Sequence, residues 1–176
     1  LGLVGFGGIG TEVAKRAVPF GMKVIYFCRH PNPADDAAYG VQSVSMEELL
    51  KESDYVVAAV PLTDQTFHLF NEECIAQMKA GSVLINIARG PVVDEEALAQ
   101  ALASGHLGGC AVDVFPKEPC TDSVLTRYSN ALLTPHSATS TAENSKATNF
   151  AAANNLVNYL KKDIDAKYVV VQGTRY

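Results

Sequence analysis

The chain has 176 residues, of which 48% are hydrophobic and 19% are charged, and its formal net charge is −5. This composition excludes a disordered or fibrous protein, and the length fits one domain of ordinary size. The acidic balance, without a basic run, argues against nucleic acid as the main partner. The sequence contains no apolar run of the ~18 residues that a membrane helix needs. We therefore expect no signal peptide, no membrane partner and a cytoplasmic location.

The strongest pattern stands at the start of the chain. The apolar run Leu1–Val4 predicts a strand, Gly5-Phe6-Gly7-Gly8-Ile9-Gly10 follows it, and Thr11–Phe20 has the pattern of a helix. A G-x-G-x-x-G turn between strand and helix is typical of dinucleotide folds, where the helix N-terminus faces the phosphates. The first glycine allows the tight turn, the second admits the pyrophosphate, and the third lets helix pack on strand. A glycine-rich turn without a ligand is the alternative, but this context favours dinucleotide binding.

Strand-like and helical segments alternate along the rest of the chain. Further strands are predicted at Lys23–Phe27, Val41–Val44, Tyr55–Val60, Ser82–Ala88, Cys110–Val114 and Ala131–Thr134. Further helices are predicted from a capping pattern at Ser45–Glu48, and over Asn71–Met78, Glu95–Ser104 and Glu143–Lys161. This order predicts an α/β fold with a Rossmann-type, doubly wound parallel sheet. We expect a dinucleotide-binding domain over residues 1–162 and a C-terminal tail over residues 163–176.

Polar residues stand at the ends of three successive predicted strands. Arg89 follows the first of these strands, Asp113 lies near the end of the second with Glu118 in the loop beyond, and His136 follows the third. Because ligands of such sheets bind at the carboxyl ends of the strands, these side chains could converge on one cleft. Taken singly, each also fits a structural role, as a surface cation, a solvated loop charge or a helix-cap donor. Their equivalent positions in the topology favour a site.

The four cysteines form neither a C-x-x-C pair nor any spacing typical of metal ligands; they are Cys28, Cys74, Cys110 and Cys120. We therefore expect reduced thiols and no metal.

Three stretches resemble the signatures of the D-isomer-specific 2-hydroxyacid dehydrogenases, a family that includes phosphoglycerate dehydrogenases and glyoxylate/hydroxypyruvate reductases. They are Asn86-Ile-Ala-Arg-Gly-Pro-Val-Val-Asp94, Ala111-Val-Asp-Val-Phe-Pro-Lys-Glu-Pro119 and Leu132-Leu-Thr-Pro-His136. The similarity extends from Leu1 to about Leu160, with the motifs in family order. It implies an NAD(P)-dependent oxidoreductase that acts on a small 2-keto or 2-hydroxy acid and forms a homodimer. It also implies that the N-terminal segment of the substrate domain is absent from this chain.

The same resemblance assigns roles to individual residues. It implies that Arg89 binds the substrate carboxylate, that His136 is the acid/base with Glu118 as its partner, and that Asp113 contacts the nicotinamide carboxamide. Together with the glycine turn and the residues that follow the second predicted strand, the positions implied by the resemblance give a predicted cofactor site of Gly5, Gly7, Gly8, Ile9, Gly10, Cys28, Arg29, His30, Val60, Pro61, Thr66, Ile87, Ala88, Arg89, Asp113, His136, Ser137 and Ala138. The chemistry agrees with these roles. A protonated imidazole can supply the proton that a 2-keto acid needs on reduction, and a guanidinium pairs with a carboxylate.

One departure from the family pattern bears on the cofactor. The acidic residue that holds the adenosine ribose is expected about 20 residues after the glycines. Cys28 stands 18 residues after Gly10 and occupies that place. A thiol does not repel a 2′-phosphate, and Arg29 and His30 could pair with one. The sequence therefore favours NADP(H), with NAD(H) possible; the alternative is that Arg29 stacks on adenine or points to solvent.

Two other functions remain open at this stage. The transcriptional co-repressors that resemble this family use the same domain as a non-catalytic NAD(H) sensor and retain similar arginine, glutamate and histidine residues. The third possibility is a Rossmann domain that serves only in oligomerisation.

Overall fold

The computed structural model describes residues 1–165 and residue 168. These residues form seven strands: β1 (Gly2–Val4), β2 (Ile25–Phe27), β3 (Gln42–Ser43), β4 (Tyr55–Ala58), β5 (Val83–Asn86), β6 (Gly109–Val112) and β7 (Ala131–Leu133). They also form six α-helices: α1 (Gly8–Ala17), α2 (Pro33–Tyr39), α3 (Met46–Glu52), α4 (Glu72–Ala76), α5 (Glu95–Ala103) and α6 (Ala142–Leu160). Short 3₁₀ turns occupy Val18–Phe20, Gly90–Val92 and Val124–Arg127.

All seven strands are parallel and lie in the order β3-β2-β1-β4-β5-β6-β7. The chain winds outward in one direction from β1 to β3 and in the other from β4 to β7. Leu3 of β1 pairs with Tyr26 on one side and with Val57 on the other. The prediction of a Rossmann-type, doubly wound parallel sheet is confirmed. In such a sheet the ligand crevice opens where the strand order reverses, here between β1 and β4.

Apolar side chains pack on both faces of the sheet. Because successive strand residues point to opposite faces, Val4 packs in one cluster and Leu3 in the other. The larger cluster contains Leu49 of α3, Ile75 of α4 and Leu98 of α5, all of them buried. The smaller cluster contains Ala14 and Ala17 of α1. This packing fixes the strands side by side, so that their carboxyl ends lie along one edge of the sheet.

Side-chain caps fix where several helices begin. Ser45 accepts a hydrogen bond from the backbone N–H of Glu48, as the capping pattern predicts, and Asp94 accepts from the N–H groups of Glu96 and Ala97. Helix α1 begins at Gly8 rather than at Thr11, because extended Gly7 serves as its N-cap. Helix α2 and the 3₁₀ turn at Val124–Arg127 were not predicted.

The chain divides into two compact units. The first covers Leu1–His136 and contains the sheet, and the second begins at Ser137 and contains α6. Helix α6 has 19 residues and starts at the cap Thr141, whose side chain accepts from the N–H of Asn144. In the described part of the chain, neither α6 nor any shorter helix is long and apolar enough to cross a bilayer. Most of the predicted tail, residues 166, 167 and 169–176, lies outside the described residues.

Candidate active site at the carboxyl edge of the sheet

The glycine turn after β1 is tight because two of its glycines leave no room for a side chain. Gly5 has a φ of +102°, and a Cβ there would lie 2.4 Å from the carbonyl oxygen of Ala59. A Cβ on Gly10 would lie 2.4 Å from the carbonyl oxygen of Gly5. The turn therefore packs closely against the end of β4 and against the first turn of α1.

The other side of the turn is open. A Cβ built on Gly7 or on Gly8 would meet no atom within 4 Å, and both residues are exposed. The first N–H groups of α1 point out of the helix here, where the helix dipole places its positive end. Open space beside a helix N-terminus suits an anionic group such as a pyrophosphate.

Two adjoining cavities flank this turn and share residues Ala59, Val60 and Pro61. The first, of about 510 Å³, extends over the end of β2 and includes Gly5, Gly7, Cys28, Arg29, His30 and Thr66. The second, of about 460 Å³, extends toward β5 and includes Ile9, Ile87, Ala88 and Arg89. The cavities are mainly apolar with a few polar groups, as ligand clefts usually are. The residues present fit a dinucleotide lying across the glycine turn.

The outer cavity lacks a carboxylate at the place where an adenosine ribose is expected. Cys28 is half-buried at the end of β2, and none of the described residues that line this cavity is acidic. Arg29 is exposed, and its Nη1 donates to Oε1 of Gln65 at 3.4 Å. Thr66 donates its hydroxyl to the carbonyl of Pro61 at 2.6 Å and so fixes the loop that forms the facing wall.

His136 and Glu118 form a hydrogen-bonded pair beyond the ends of β7 and β6. Nδ1 of His136 lies 2.7 Å from Oε2 of Glu118, and Oε1 of Glu118 accepts from the backbone N–H of Phe115 at 2.9 Å. Because Nδ1 is occupied, chemistry on a ligand falls to Nε2. The hydrogen bond with His136 lowers the pKa of Glu118 below its ordinary value, and the Phe115 N–H and the charge of Arg89 act in the same direction.

The loop that carries Arg89 is shaped by a buried asparagine. Nδ2 of Asn86 donates to the carbonyl of Arg89 at 3.1 Å, and Oδ1 accepts from the N–H of Ala88 at 3.1 Å. The guanidinium of Arg89 is exposed and donates to the carbonyl of Ala88 at 2.7 Å. Asn86 was not predicted as a site residue, although an asparagine at the end of an apolar strand is a signal by which it could have been found.

A close backbone contact sets the Arg89 loop against the Glu118 loop. A Cβ on Gly90 would lie 2.0 Å from the carbonyl carbon of Phe115. Gly90 follows Arg89 directly, and Phe115 holds Glu118 through its N–H. The structure thus brings Arg89, Glu118 and His136 together at one edge of the sheet.

Asp113 is held by the strand on each side of it. Its N–H donates to the carbonyl of Asn86 at 3.1 Å, and its Oδ1 accepts from the hydroxyl of Thr134 at 2.5 Å. Thr134 was not singled out from the sequence, because the contact depends on the register between β6 and β7. Ser137 and Ala138 belong to the second unit.

Comparisons with known proteins agree with this geometry. The family model of the D-isomer specific 2-hydroxyacid dehydrogenase, NAD binding domain, matches residues 1–138. The glyoxylate reductase of Thermococcus litoralis is 41% identical over 169 residues, which are 96% of this chain and 51% of that protein. The hydroxypyruvate reductase of Thermotoga maritima is 46% identical over 147 residues, which are 81% of this chain and 47% of that protein.

A solved structure gives the same result. The D-lactate dehydrogenase of Aquifex aeolicus, complexed with NAD and lactic acid, aligns with a TM-score of 0.84 at 34% identity, covering 92% of this chain and 53% of that one. The chain spans about half the length of the curated relatives named above. From the matched family model and these identities, the chain belongs to the D-isomer-specific 2-hydroxyacid dehydrogenase family and corresponds to its NAD-binding domain.

Proposed function

We propose that this chain is the cofactor-binding domain, over residues 1–162, of an NAD(P)-dependent oxidoreductase that interconverts a small 2-keto acid and its D-2-hydroxy acid. The observation that carries the proposal is the His136–Glu118 pair, at 2.7 Å, beside Arg89 at the carboxyl edge of the sheet. That edge also borders the cavity on the β5 side of the glycine turn.

Each of the three side chains has a distinct task in this proposal. Arg89 pairs with the substrate carboxylate through its planar, bidentate donor set. His136 holds the transferable proton at Nε2 and gives it to the carbonyl oxygen, or takes it back in the reverse direction. Glu118 binds Nδ1, which fixes the orientation of the ring and leaves Nε2 free to face the ligand. Removal of any one of them should lower turnover more than cofactor affinity.

The residues along the two cavities would hold the nicotinamide cofactor, which when bound supplies or accepts the hydride. The open side of Gly7 and the N-terminus of α1 would take the pyrophosphate. Val60, Pro61, Ile87 and Ala88 would line the nicotinamide side, and Asp113 would bind its carboxamide. His136, the last residue of the first unit, completes the proposed set of cofactor contacts there.

Among small 2-keto acids, we favour glyoxylate and hydroxypyruvate as the substrates. The relatives named above are called glyoxylate reductase and hydroxypyruvate reductase and share 41% and 46% identity with the chain. An exposed arginine beside a histidine–glutamate pair suits any short 2-keto acid. The choice of glyoxylate and hydroxypyruvate among these acids therefore rests on the names of the relatives. The same names favour the enzyme over a non-catalytic NAD(H) sensor and over a domain used only for oligomerisation.

For the cofactor we propose a preference for NADP(H) over NAD(H). The support is the wall of the outer cavity, where Cys28 stands in place of a carboxylate and Arg29 and His30 follow it. A carboxylate would accept hydrogen bonds from the ribose of NAD(H), whereas a cationic wall favours the 2′-phosphate of NADP(H).

We further propose that the protein is a cytoplasmic homodimer. The exposed apolar side chains of α6, among them Phe150 and Leu160, support a subunit contact, because such side chains favour burial. The four free cysteines are consistent with a reducing compartment.

The proposed activity is tested in the complete enzyme, in which this domain is joined to a substrate domain. The assay follows nicotinamide absorbance with glyoxylate, hydroxypyruvate and pyruvate, each with NADPH and with NADH. We expect turnover with at least one of the first two acids. Tight cofactor binding without turnover of any 2-keto acid would support the sensor instead.

A further inference from the structure

A threonine hydroxyl joins the ends of two neighbouring strands beside the candidate site. Oγ1 of Thr134 donates to Oδ1 of Asp113 at 2.5 Å, the short distance typical of a hydroxyl bound to a carboxylate. Thr134 follows β7 and Asp113 follows β6, so the bond spans 21 residues of sequence. It is a tertiary contact between two loop starts.

The backbone of Thr134 is anchored independently of its side chain. Its N–H donates to the carbonyl of Val112 at 3.0 Å, and its carbonyl accepts from the N–H of His136 at 3.0 Å. Because the backbone is anchored, the short side chain presents its hydroxyl to Asp113 from a fixed Cα position, which a serine at this place would share. Loss of the hydroxyl alone would leave both backbone bonds in place.

From this geometry we infer that Thr134 is a positioning residue, which sets the orientation of the Asp113 carboxylate for binding the nicotinamide carboxamide. The inference rests on the proposed function, in which Asp113 makes that contact. An aspartate side chain has two rotatable bonds, and a donor fixed on the next strand selects one rotamer for it. The carbonyl of Thr134 also accepts a hydrogen bond from the N–H of His136. Thr134 thus contacts both Asp113, the proposed nicotinamide contact, and His136, the proposed proton donor.

The contact could instead serve only to tie β6 to β7. In that case, loss of the contact would weaken the binding of every ligand of the cleft to the same degree, or it would lower stability without changing any affinity. The positioning role concerns only the ligand's nicotinamide end. The two roles are therefore separated by comparing a complete nicotinamide cofactor with a nucleotide that lacks nicotinamide.

The test uses the complete enzyme and its variants Thr134→Val and Thr134→Ser. Calorimetry measures binding of NADPH and of 2′-phospho-ADP-ribose, with NADH and ADP-ribose used instead where the wild type prefers them. We expect Thr134→Val to weaken binding of the reduced cofactor by about 3- to 10-fold, the effect of one hydrogen bond, and to change binding of the truncated nucleotide by less than about twofold. Thr134→Ser should restore cofactor affinity to within about twofold of the wild type.

A matched control is Thr126→Val, which removes a hydroxyl that donates to the carbonyl of Ser123 at 2.8 Å. It should leave both affinities unchanged. Equal weakening of the two ligands by Thr134→Val, or no weakening of either, would overturn the inference. If the wild type bound neither ligand, the proposed function itself would fail, and thermal unfolding of each variant shows whether it is folded.

Discussion

At the scale of single residues, the His136–Glu118 pair depends on the charge of the carboxylate. The hydrogen bond from His136 lowers the pKa of Glu118 from its ordinary value of 4.5. A carboxylate with a lowered pKa in the folded protein adds stability above its unfolded value, and this is lost as the pH falls through the folded value. The Glu118 carboxylate therefore stays charged throughout the neutral range and is protonated only in acid.

Replacement of His136 by alanine tests its role in proton transfer. In the complete enzyme, His136→Ala should lower kcat by ~10²–10⁴-fold, the usual contribution of a positioned general acid. Cofactor affinity, measured by calorimetry, should change much less. Glu118→Gln keeps the size of the partner but removes its charge, and it should lower kcat by a smaller factor. Nearly unchanged turnover in His136→Ala would exclude this residue as the proton donor.

Cys28 offers a test of cofactor choice by a single charge. Cys28→Asp should shift the ratio of NADH to NADPH affinity by at least about tenfold toward NADH, because a carboxylate repels the 2′-phosphate and accepts from the ribose. Cys28→Ser, which replaces the thiol without adding charge, should leave the ratio near that of the wild type. Titration of both reduced cofactors decides the matter. Equal or tighter binding of NADH by the wild type would contradict the proposed preference.

At the scale of elements, the open side of the glycine turn allows a substitution that affects cofactor binding but has little effect on stability. Gly7 has extended backbone angles (φ −93°, ψ −161°), and a Cβ there would meet nothing within 4 Å. Gly7→Ala should therefore change the free energy of unfolding by no more than about 1 kcal/mol. Its methyl group would occupy the space proposed for the pyrophosphate, so cofactor affinity should fall at least about tenfold.

Denaturant unfolding and calorimetry on Gly7→Ala measure these two effects separately. Gly10→Ala is the contrasting variant, because its Cβ would lie 2.4 Å from the carbonyl oxygen of Gly5 and should reduce stability directly. Unchanged affinity in a folded Gly7→Ala variant would show that the phosphates do not approach this residue.

The link between β2 and α2 is a buried phenol. Tyr26 of β2 is fully buried and donates to Oδ1 of Asp36 in α2 at 2.8 Å. Burial, with the Asp36 hydrogen bond and charge, raises the pKa of Tyr26 from 10.0 to about 12. The folded state thus keeps the phenol neutral where the unfolded state ionises it, so this contribution to stability is present below pH 10 and is lost as the pH rises toward 12.

Tyr26→Phe should be less stable than the wild type at neutral pH by about 0.5–1.5 kcal/mol, the net value of one hydrogen bond. Its free energy of unfolding should then fall less steeply between pH 10 and about 12 than that of the wild type. Denaturant unfolding across this range measures both effects. Tyr55→Phe, at an exposed tyrosine, is the control and should keep the wild-type slope. Parallel pH profiles for the wild type and Tyr26→Phe would contradict the assignment.

The elements that could be predicted from sequence are those with strong local signals. The cap at Ser45 and the apolar run from Tyr55 to Ala58 have such signals, and both elements form close to the predicted positions. Helix α2 was missed because it has no buried residue and therefore no apolar periodicity, although Asn32 caps it and Pro33 starts it. Several predicted strands extend beyond the strands of the structure, because strand pairing rather than hydrophobicity decides where a strand ends.

The same distinction applies to the candidate site. Arg89, Glu118 and His136 could be singled out because each follows a predicted strand and lies in a family motif. The contacts of Thr134 with Asp113 and of Gly90 with Phe115 could not, since they depend on how neighbouring loops approach one another. Local sequence indicates which residue type stands at the end of which element. These contacts, in contrast, arise only when the sheet is assembled.

At the scale of the whole molecule, the candidate catalytic edge of the described chain is open to solvent. Arg89, Glu118 and His136 are all exposed to solvent in this chain. An arginine and a histidine in water act through a high dielectric constant, and the keto acid lacks the orientation that can contribute ~7–11 kcal/mol in ordered sites. These 176 residues alone should therefore fold and bind a nicotinamide cofactor, yet turn over 2-keto acids negligibly.

Calorimetry with NADPH and an absorbance assay with glyoxylate test the two halves of this prediction on the same sample. The control is the complete enzyme at equal concentration, which should show both binding and turnover. Robust turnover by the 176-residue chain would show that its catalytic cleft needs no further domain.

The contact at Gly90 has a consequence for engineering. The two loops meet through main-chain atoms, since a Cβ on Gly90 would lie 2.0 Å from the carbonyl carbon of Phe115. Their spacing is thus set by peptide geometry and does not require a particular side chain at residue 89, whereas the Glu118 side chain also accepts the N–H of Phe115. A library that randomises residue 89 while keeping Gly90, Phe115 and Glu118 should yield mostly folded members. A different catalytic side chain could therefore be introduced at residue 89 without redesigning the loops.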